Sequence, residues 1–394
     1  TWNAATNTCT LTSDLSEGIV IGYNGITLDG NGHTISGTTG NGILVQVRTG
    51  VTIKNVNIKN FDTGINVDNS IGITLSGNTV TGSSTSGIAG SYSNTLTITG
   101  NKISGSSHGI YLVHSTQNSI NNNIVSNNSD GILVSVTDNT SISGNTVSNN
   151  NGNGIYLIYL GSDTVTGNTV SGNNVGILMD QSSTNTISGN TVTGNGNGIT
   201  VSDDSYNNIL TKNTVSSNTN NGISIINSGN AAKITDNTIS NNNLGISITP
   251  SNSVTVYNNN LINNPIQVTG ASGSTMGLNP PIGGNYCSDY SPTCTNTNGA
   301  SFCDTPSPFS GGPVGVVDNY PWTIQNGWHT TITTGGDITT TVVGNTTSKL
   351  VSYTVSAIQD SSPISVSCTP SSGSSFQIGK TMVVCTASTG VKAS

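Results

Sequence analysis

The chain has 394 residues, of which 7% are charged and 5% aromatic, with 49 glycines and a formal net charge of −8. That balance lacks the basic footprint of a nucleic-acid binder, and no apolar run approaches the ~18 residues of a membrane span. So little charge among so many polar residues would suit disorder, but the apolar residues recur too regularly.

The first residue is Thr1 rather than Met, as in a mature form after signal removal. An entry coil is expected over residues 25–35. From there a Gly-Ile pair recurs with its glycine at 42, 64, 87, 109, 131, 154, 176, 198, 222 and 245, a spacing of 22 to 24 residues. Two places after each Ile stands a residue of inward type, such as Val45, Leu112, Leu157 or Met179. This alternation predicts a strand with one buried face. A second pattern runs in phase, apolar-x-x-Asn-x-apolar, as in Leu75/Asn78/Val80 and Ile98/Asn101/Ile103, and continues to Val256/Asn259/Leu261. No segment has a helical period.

A unit this short cannot bury its apolar face alone and must stack on its copies. Stacking in register gives a parallel β-helix rising ~4.8 Å per coil. The recurrent Asn is expected at a left-handed turn position, with its amide bonded to the coils above and below.

The stretch Gly25-Ile26-Thr27-Leu28-Asp29-Gly30-Asn31-Gly32-His33-Thr34-Ile35, with the ladders after it, resembles the parallel β-helix repeat proteins of the NosD-like group. Many archaeal members of that group are cell-surface proteins. Gly284-Asn285-Tyr286-Cys287-Ser288-Asp289-Tyr290, Cys303-Asp304-Thr305-Pro306 and Asp318-Asn319-Tyr320-Pro321 resemble its capping segment. The group usually has Trp where this chain has Cys287, and an Asp-rich loop where it has Thr295-Asn296-Thr297-Asn298-Gly299. The carboxylates of that loop are absent and Cys294 and Cys303 flank it, so a Cys294–Cys303 disulfide is expected in place of a metal. Beyond residue 330, Thr/Val/Ser alternation with Cys368 and Cys385 resembles the HYR module, an Ig-like sandwich, whose disulfide would be Cys368–Cys385. Relatives of that module continue through a further strand, so an edge open to another chain is expected.

These resemblances imply an all-β chain: a right-handed, single-stranded parallel β-helix of about 10–11 coils over residues 1–270, a disulfide-bearing cap over 271–328, and an Ig-like sandwich over 329–394. Six cysteines without a paired zinc pattern point outside the cytosol. Asn127, Asn139 and Asn345 are candidate N-glycosylation sites. Cys9 and Cys287 fall at opposite ends of the rod, beyond the ~7 Å that a disulfide within one chain allows. They are expected either to join subunits stacked end to end, or to leave Cys287 pairing inside the cap.

Candidate chemistry is sparse. Asp180, Asp203 and Asp204 follow the Gly-Ile strands of two adjacent coils, an arrangement similar to the polygalacturonase-type glycosidases. The Gly-His-Gly and Arg-x-Lys those enzymes use are missing, and Asp at a turn commonly caps backbone amides. The four histidines (33, 108, 114 and 329) are scattered, and no metal or cofactor is expected. More informative is the outward position between the buried residues of each Gly-Ile strand. It holds Leu44, then Tyr111, Leu133, Tyr156 and Leu178 on four consecutive coils, and Ile158, Tyr159 and Leu160 extend the patch. A contiguous apolar stripe marks an interface. The resulting expectation is an extracellular, non-enzymatic structural protein that self-associates into a filament or coat. The alternatives are a carbohydrate-active β-helix enzyme and a glycan-binding adhesin.

Overall fold

In the computed structural model every residue is described except 229–230, 250–252, 271–272, 281, 290–300, 310–315, 343, 345, 360–361 and 394. The chain winds into an all-β, right-handed parallel solenoid of about 12 turns. Each coil lays down three strands, for example Thr74–Ser76, Thr79–Thr81 and Ser86–Ser91. Successive coils pair in parallel and in register, so Leu75 stacks on Ile98, Val80 on Ile103 and Ile88 on Ile110. Three long faces result, called here first, second and third in chain order. The second and third hold 12 strands each. The expectation of 10–11 coils fell short because it left out the Gly18-Ile19 pair, in register with Gly42-Ile43, and because the last coil has Gln267-Val268 in that place. Ile19–Val20 opens the third face and Ile266–Gly270 closes it.

Parallel pairing runs past residue 270, through Thr275–Met276 and Tyr286–Cys287. At the other end Trp2–Asn3 pairs antiparallel with Thr8–Thr10 and covers the edge of the first face. The interior is a continuous column of Ile, Val and Leu, nearly all fully buried. Burying each such side chain contributes roughly 1.5–3 kcal/mol.

The corners explain the polar half of the repeat. At the first corner, between first and second faces, the ladder Asn side chains are buried. Asn101 Nδ2 donates to Asn123 Oδ1 at 2.9 Å and to the Leu75 carbonyl at 2.9 Å, while the backbone N–H of Asn101 reaches the same Oδ1 at 2.9 Å. The pattern repeats from Asn78 to Asn285. It ends on the buried carboxylate of Asp318, which accepts from the Asn285 backbone N–H and side chain. The Gly284 and Asp318 segments, noted above for their resemblance to a cap, therefore terminate the ladder. A Cβ on Gly284 would lie 1.7 Å from Asp318 Oδ1.

One expectation changes here. The left-handed residue is not the ladder Asn but the one before it: Gly77, Gly100, Asn122, Gly144, Gly167, Gly189, Lys212, Asp236 and Asn258 all have positive φ. The ladder Asn itself stays free to bond along the axis. A second ladder, unforeseen, runs at the second corner from Asn128 through Asn150, Asn173, Asn195, Asn218 and Asn242 to Asn264. It accounts for the Gly of Gly-Ile: a Cβ on Gly131 would meet the Gly154 carbonyl at 2.4 Å and Asn150 Nδ2 at 2.9 Å.

Beyond the solenoid the described residues form small antiparallel sheets. Thr330–Thr334, Val355–Gln359 and Ser362–Ile364 make one, and Val366–Thr369, Val384–Ala387 and Lys392–Ala393 another. Cys368 and Cys385 face each other across this last sheet and are disulfide-bonded. Cys303 is disulfide-bonded as well, and Cys294 lies outside the described residues. Cys9 and Cys287 sit in strands at opposite ends of the solenoid.

Candidate functional site

The third face carries the longest strands, six residues in most coils, and its outward side chains form three columns. Register places His108 beside Asp130 at one edge, Tyr111, Leu133, Tyr156 and Leu178 along the middle, and Val113, Ser135, Ile158 and Asp180 at the other edge. All of them are half-buried. Leu44 is half-buried three coils nearer the N-terminus than Tyr111, the nearest aromatic of this column, with Asn66 and Ala89 between.

Two polar pairs bracket the apolar middle. His108 Nδ1 lies 3.6 Å from Asp130 Oδ2, and the His108 ring tilts against Tyr111 with centroids 5.4 Å apart. Asp130 also accepts from the backbone and side-chain N–H groups of Asn153, at 2.8 and 3.1 Å. Burial works to raise the Asp130 carboxyl, yet His108 and Asn153 outweigh it and hold it below the usual carboxylate range. Across the face, Tyr156 donates its hydroxyl to Asp180 Oδ2 at 3.2 Å. Burial first, then the Asp180 charge, pushes the phenol up to about 12, so Tyr156 keeps its proton at neutral pH. Asp180 Oδ1 is buried and has no partner, and neither has Oγ1 of Thr200, which stands next to Leu178 in the middle column.

The third corner borders this face with a ridge. The residue leaving each third-face strand adopts positive φ, and here it is seldom Gly or Asn: Tyr92, His114, Val136, Tyr159 and Gln181 fill it on successive coils. Such conformations cost about 1–2 kcal/mol for non-glycine residues and concentrate at functional sites. All five are exposed, and the rings of Tyr92 and His114 stack at 4.8 Å and 17°.

One expected placement is corrected. Leu160 does not extend the outward patch; it is buried, because the left-handed turn at Tyr159 points the next residue inward. Other coils put Ser115, Thr137 or Ser182 there. Asp180, Asp203 and Asp204 lie on adjacent coils but engage separate partners. Asp180 binds Tyr156, Asp203 Oδ1 meets Asn227 Nδ2 at 3.5 Å, and Asp204 accepts from Tyr206 at 3.0 Å. Tyr159 and Ile158 remain at the surface.

Trp328 and His329 both reach Asp236, with His329 Nε2 at 3.0 Å, and Trp322 Nε1 bonds Asn258 Oδ1 at 3.0 Å. Those partners belong to the first corner. Asn127 and Asn139 are exposed in turns, and Asn345 lies outside the described residues. Among the described residues no group of three or more His, Cys, Asp or Glu gathers as a metal site.

Two family models match: one described as "Periplasmic copper-binding protein (NosD)" over residues 151–292, the other as "Right handed beta helix region" over 17–170. The chain is thus a parallel β-helix repeat protein. No curated protein sequence matches it. Similar solved structures include the A-module of mannuronan C-5 epimerase AlgE6 from Azotobacter vinelandii, at 14% identity over 69% of this chain and 88% of that one, with TM-score 0.59. They include also DFA-IIIase from Arthrobacter chlorophenolicus A6, at 11% identity over 66% and 83%, TM-score 0.45. A third is the tailspike protein of E. coli bacteriophage HK620 with a hexasaccharide, at 11% over 70% and 66%, TM-score 0.47. The expectation of a non-enzyme is corrected by the first of these likenesses, since the fold is shared with an epimerase module. Among the described residues no helix is long and apolar enough to cross a membrane, and with the disulfide this is compatible with an extracellular or periplasmic setting.

Proposed function

We propose that the chain acts on a polysaccharide held along the third face, between the His108–Asp130 pair and the Tyr156–Asp180 pair. This is the carbohydrate-active alternative drawn from the sequence, and it replaces the filament subunit. One observation carries it: Tyr111, Leu133, Tyr156 and Leu178 form a half-buried apolar floor bracketed by the His108–Asp130 pair, 3.6 Å apart, and the hydrogen-bonded Tyr156–Asp180 pair. A purely self-associating stripe has no use for partly desolvated carboxylates with open acceptors, which cost free energy until a donor arrives. Sugars supply both halves of the match, with C–H faces for the aromatic rings and hydroxyls for the acceptors. One coil rise, ~4.8 Å, is close to the length of one sugar ring along an extended chain, so successive rings would meet successive coils.

Within this reading Asp180 is the group that takes a proton, and the protonated Tyr156 orients it and gives a hydrogen bond back. His108, held by Asp130, sits two coils from Tyr156 and three from Asp180 and positions a sugar further along the chain. The test is affinity electrophoresis in gels cast with soluble polysaccharides, followed by a product assay on any polymer that retards the protein. Retardation lost in Tyr156→Ala, and turnover lost in Asp180→Asn while retardation persists, is the expected outcome. A polysaccharide that retards wild type and Tyr156→Ala equally would place binding elsewhere and overturn the proposal.

A further inference from the structure

We infer that the glycan held on the third face is uncharged and that polyuronates are excluded, an inference that rests on the polysaccharide reading above. It starts from a run of sequence. Between Lys102 and Lys212 there is no Lys or Arg, while Asp130, Asp138, Asp163, Asp180, Asp203 and Asp204 all fall within that stretch. These residues build the coils that carry the site, and the third-face strands from Asn41–Gln46 to Ile266–Gly270 contain no Lys or Arg. The one Arg, Arg48, lies near the start of the solenoid and donates to the Ile21 and Val47 carbonyls.

A carboxylate on each sugar would therefore approach Asp130 and Asp180 with no Arg or Lys to neutralise it. Like charges brought together in a partly desolvated groove oppose binding strongly. Two unpartnered atoms define what the face accepts instead. Thr200 is 7% exposed with Oγ1 unbonded, and Asp180 Oδ1 is buried and unbonded. Thr200 follows Leu178 in the middle column and Ser202 follows Asp180 at the edge, so both atoms stand on neighbouring coils of one face. Hydroxyl donors from a neutral sugar satisfy them; a uronate carboxylate brings acceptors where acceptors already stand.

The experiment is a glycan array probed with the intact chain at low and moderate salt, spanning neutral, amino-bearing and uronate-bearing glycans, with Tyr156→Ala as the control for the face. The expected result is neutral hits that vanish in Tyr156→Ala and change little with salt, with uronate glycans weaker by about tenfold or more. Asp203→Lys/Asp204→Lys, at the exposed turn beyond Asp180, should then gain uronate binding that fades as salt rises. Uronate hits in the wild type would overturn this inference and leave the polysaccharide reading standing. Hits confined to amino glycans would do the same, and no hit of any class would end both.

Discussion

At the first corner of the coil one residue type fills the buried position from Asn78 to Asn285; at the third corner the equivalent buried positions drift. There the sequence runs Ser70, Ser93, Ser115, Thr137, Leu160, Ser182, Ser205, Ser228, and three residues on Ile73, Leu96, Asn118, Thr140, Asp163, Asn185, Asn208. Both departures of largest consequence, Leu160 and Asp163, fall in the coil that carries Tyr156 and Tyr159. The first corner bonds every amide along the axis, whereas the third leaves Asn118 Nδ2, Asp163 Oδ2 and Asn185 Nδ2 buried without partners. The face proposed to bind thus lies between a regular corner, the second with its ladder from Asn128 to Asn264, and this irregular one.

The largest way to break that comparison is at the regular corner. Asn168 accepts from Asn145 N and Nδ2 and donates to Ile142 O and Asn190 Oδ1, all at 2.9 Å. Asn168→Ala strands several buried groups at once and should cost about 3–6 kcal/mol in urea unfolding. A loss below that of an exposed turn Asn such as Asn149→Ala would remove the ladder as a source of stability.

Asp163 tests the irregular corner. Its carboxyl is 1% exposed, and burial, reinforced by Asp138, pushes it up to about 7 even though Oδ1 accepts from the Thr140 N–H. Well below pH 4 it is protonated both folded and unfolded. As pH rises towards 7 the unfolded chain ionises it freely while the folded chain resists, so stability falls by about 4 kcal/mol across that window. Asp163→Asn should flatten this dependence and be the more stable protein at pH 8, as read from unfolding midpoints at pH 5 and 8. An unchanged pH profile would contradict the buried charge.

The smallest effect sharpens the comparison. Val136 is β-branched at φ 50, so Val136→Asn should stabilise by about 1 kcal/mol while weakening glycan binding at the ridge. Gain in stability with no change in binding would mean that the strain serves something else.

Much of this was legible beforehand. The Gly-Ile spacing and the apolar-x-x-Asn-x-apolar pattern gave faces, coils and core, because a strand with period two and an invariant polar corner leave few alternatives. The second Asn ladder was missed because Ser83 and Ser106 stand at its start, so the column turns to Asn only from Asn128. The stripe from Tyr111 to Leu178 is visible as apolar side chains facing out, a pattern that by itself points to a subunit interface. What separated the two readings, His108 against Asp130 and Tyr156 against Asp180, depends on register between coils 22 to 24 residues apart. Leu160 was misplaced because a left-handed turn at a tyrosine leaves no trace in an alternation pattern.

The most direct test is a crystal structure with a bound neutral oligosaccharide chosen from the array hits. The account predicts sugar rings lying along the third face over Tyr111, Leu133, Tyr156 and Leu178, with hydroxyls on Asp180 Oδ1 and Thr200 Oγ1. Rings seated on the first or second face, or on the antiparallel sheets beyond residue 330, would contradict it.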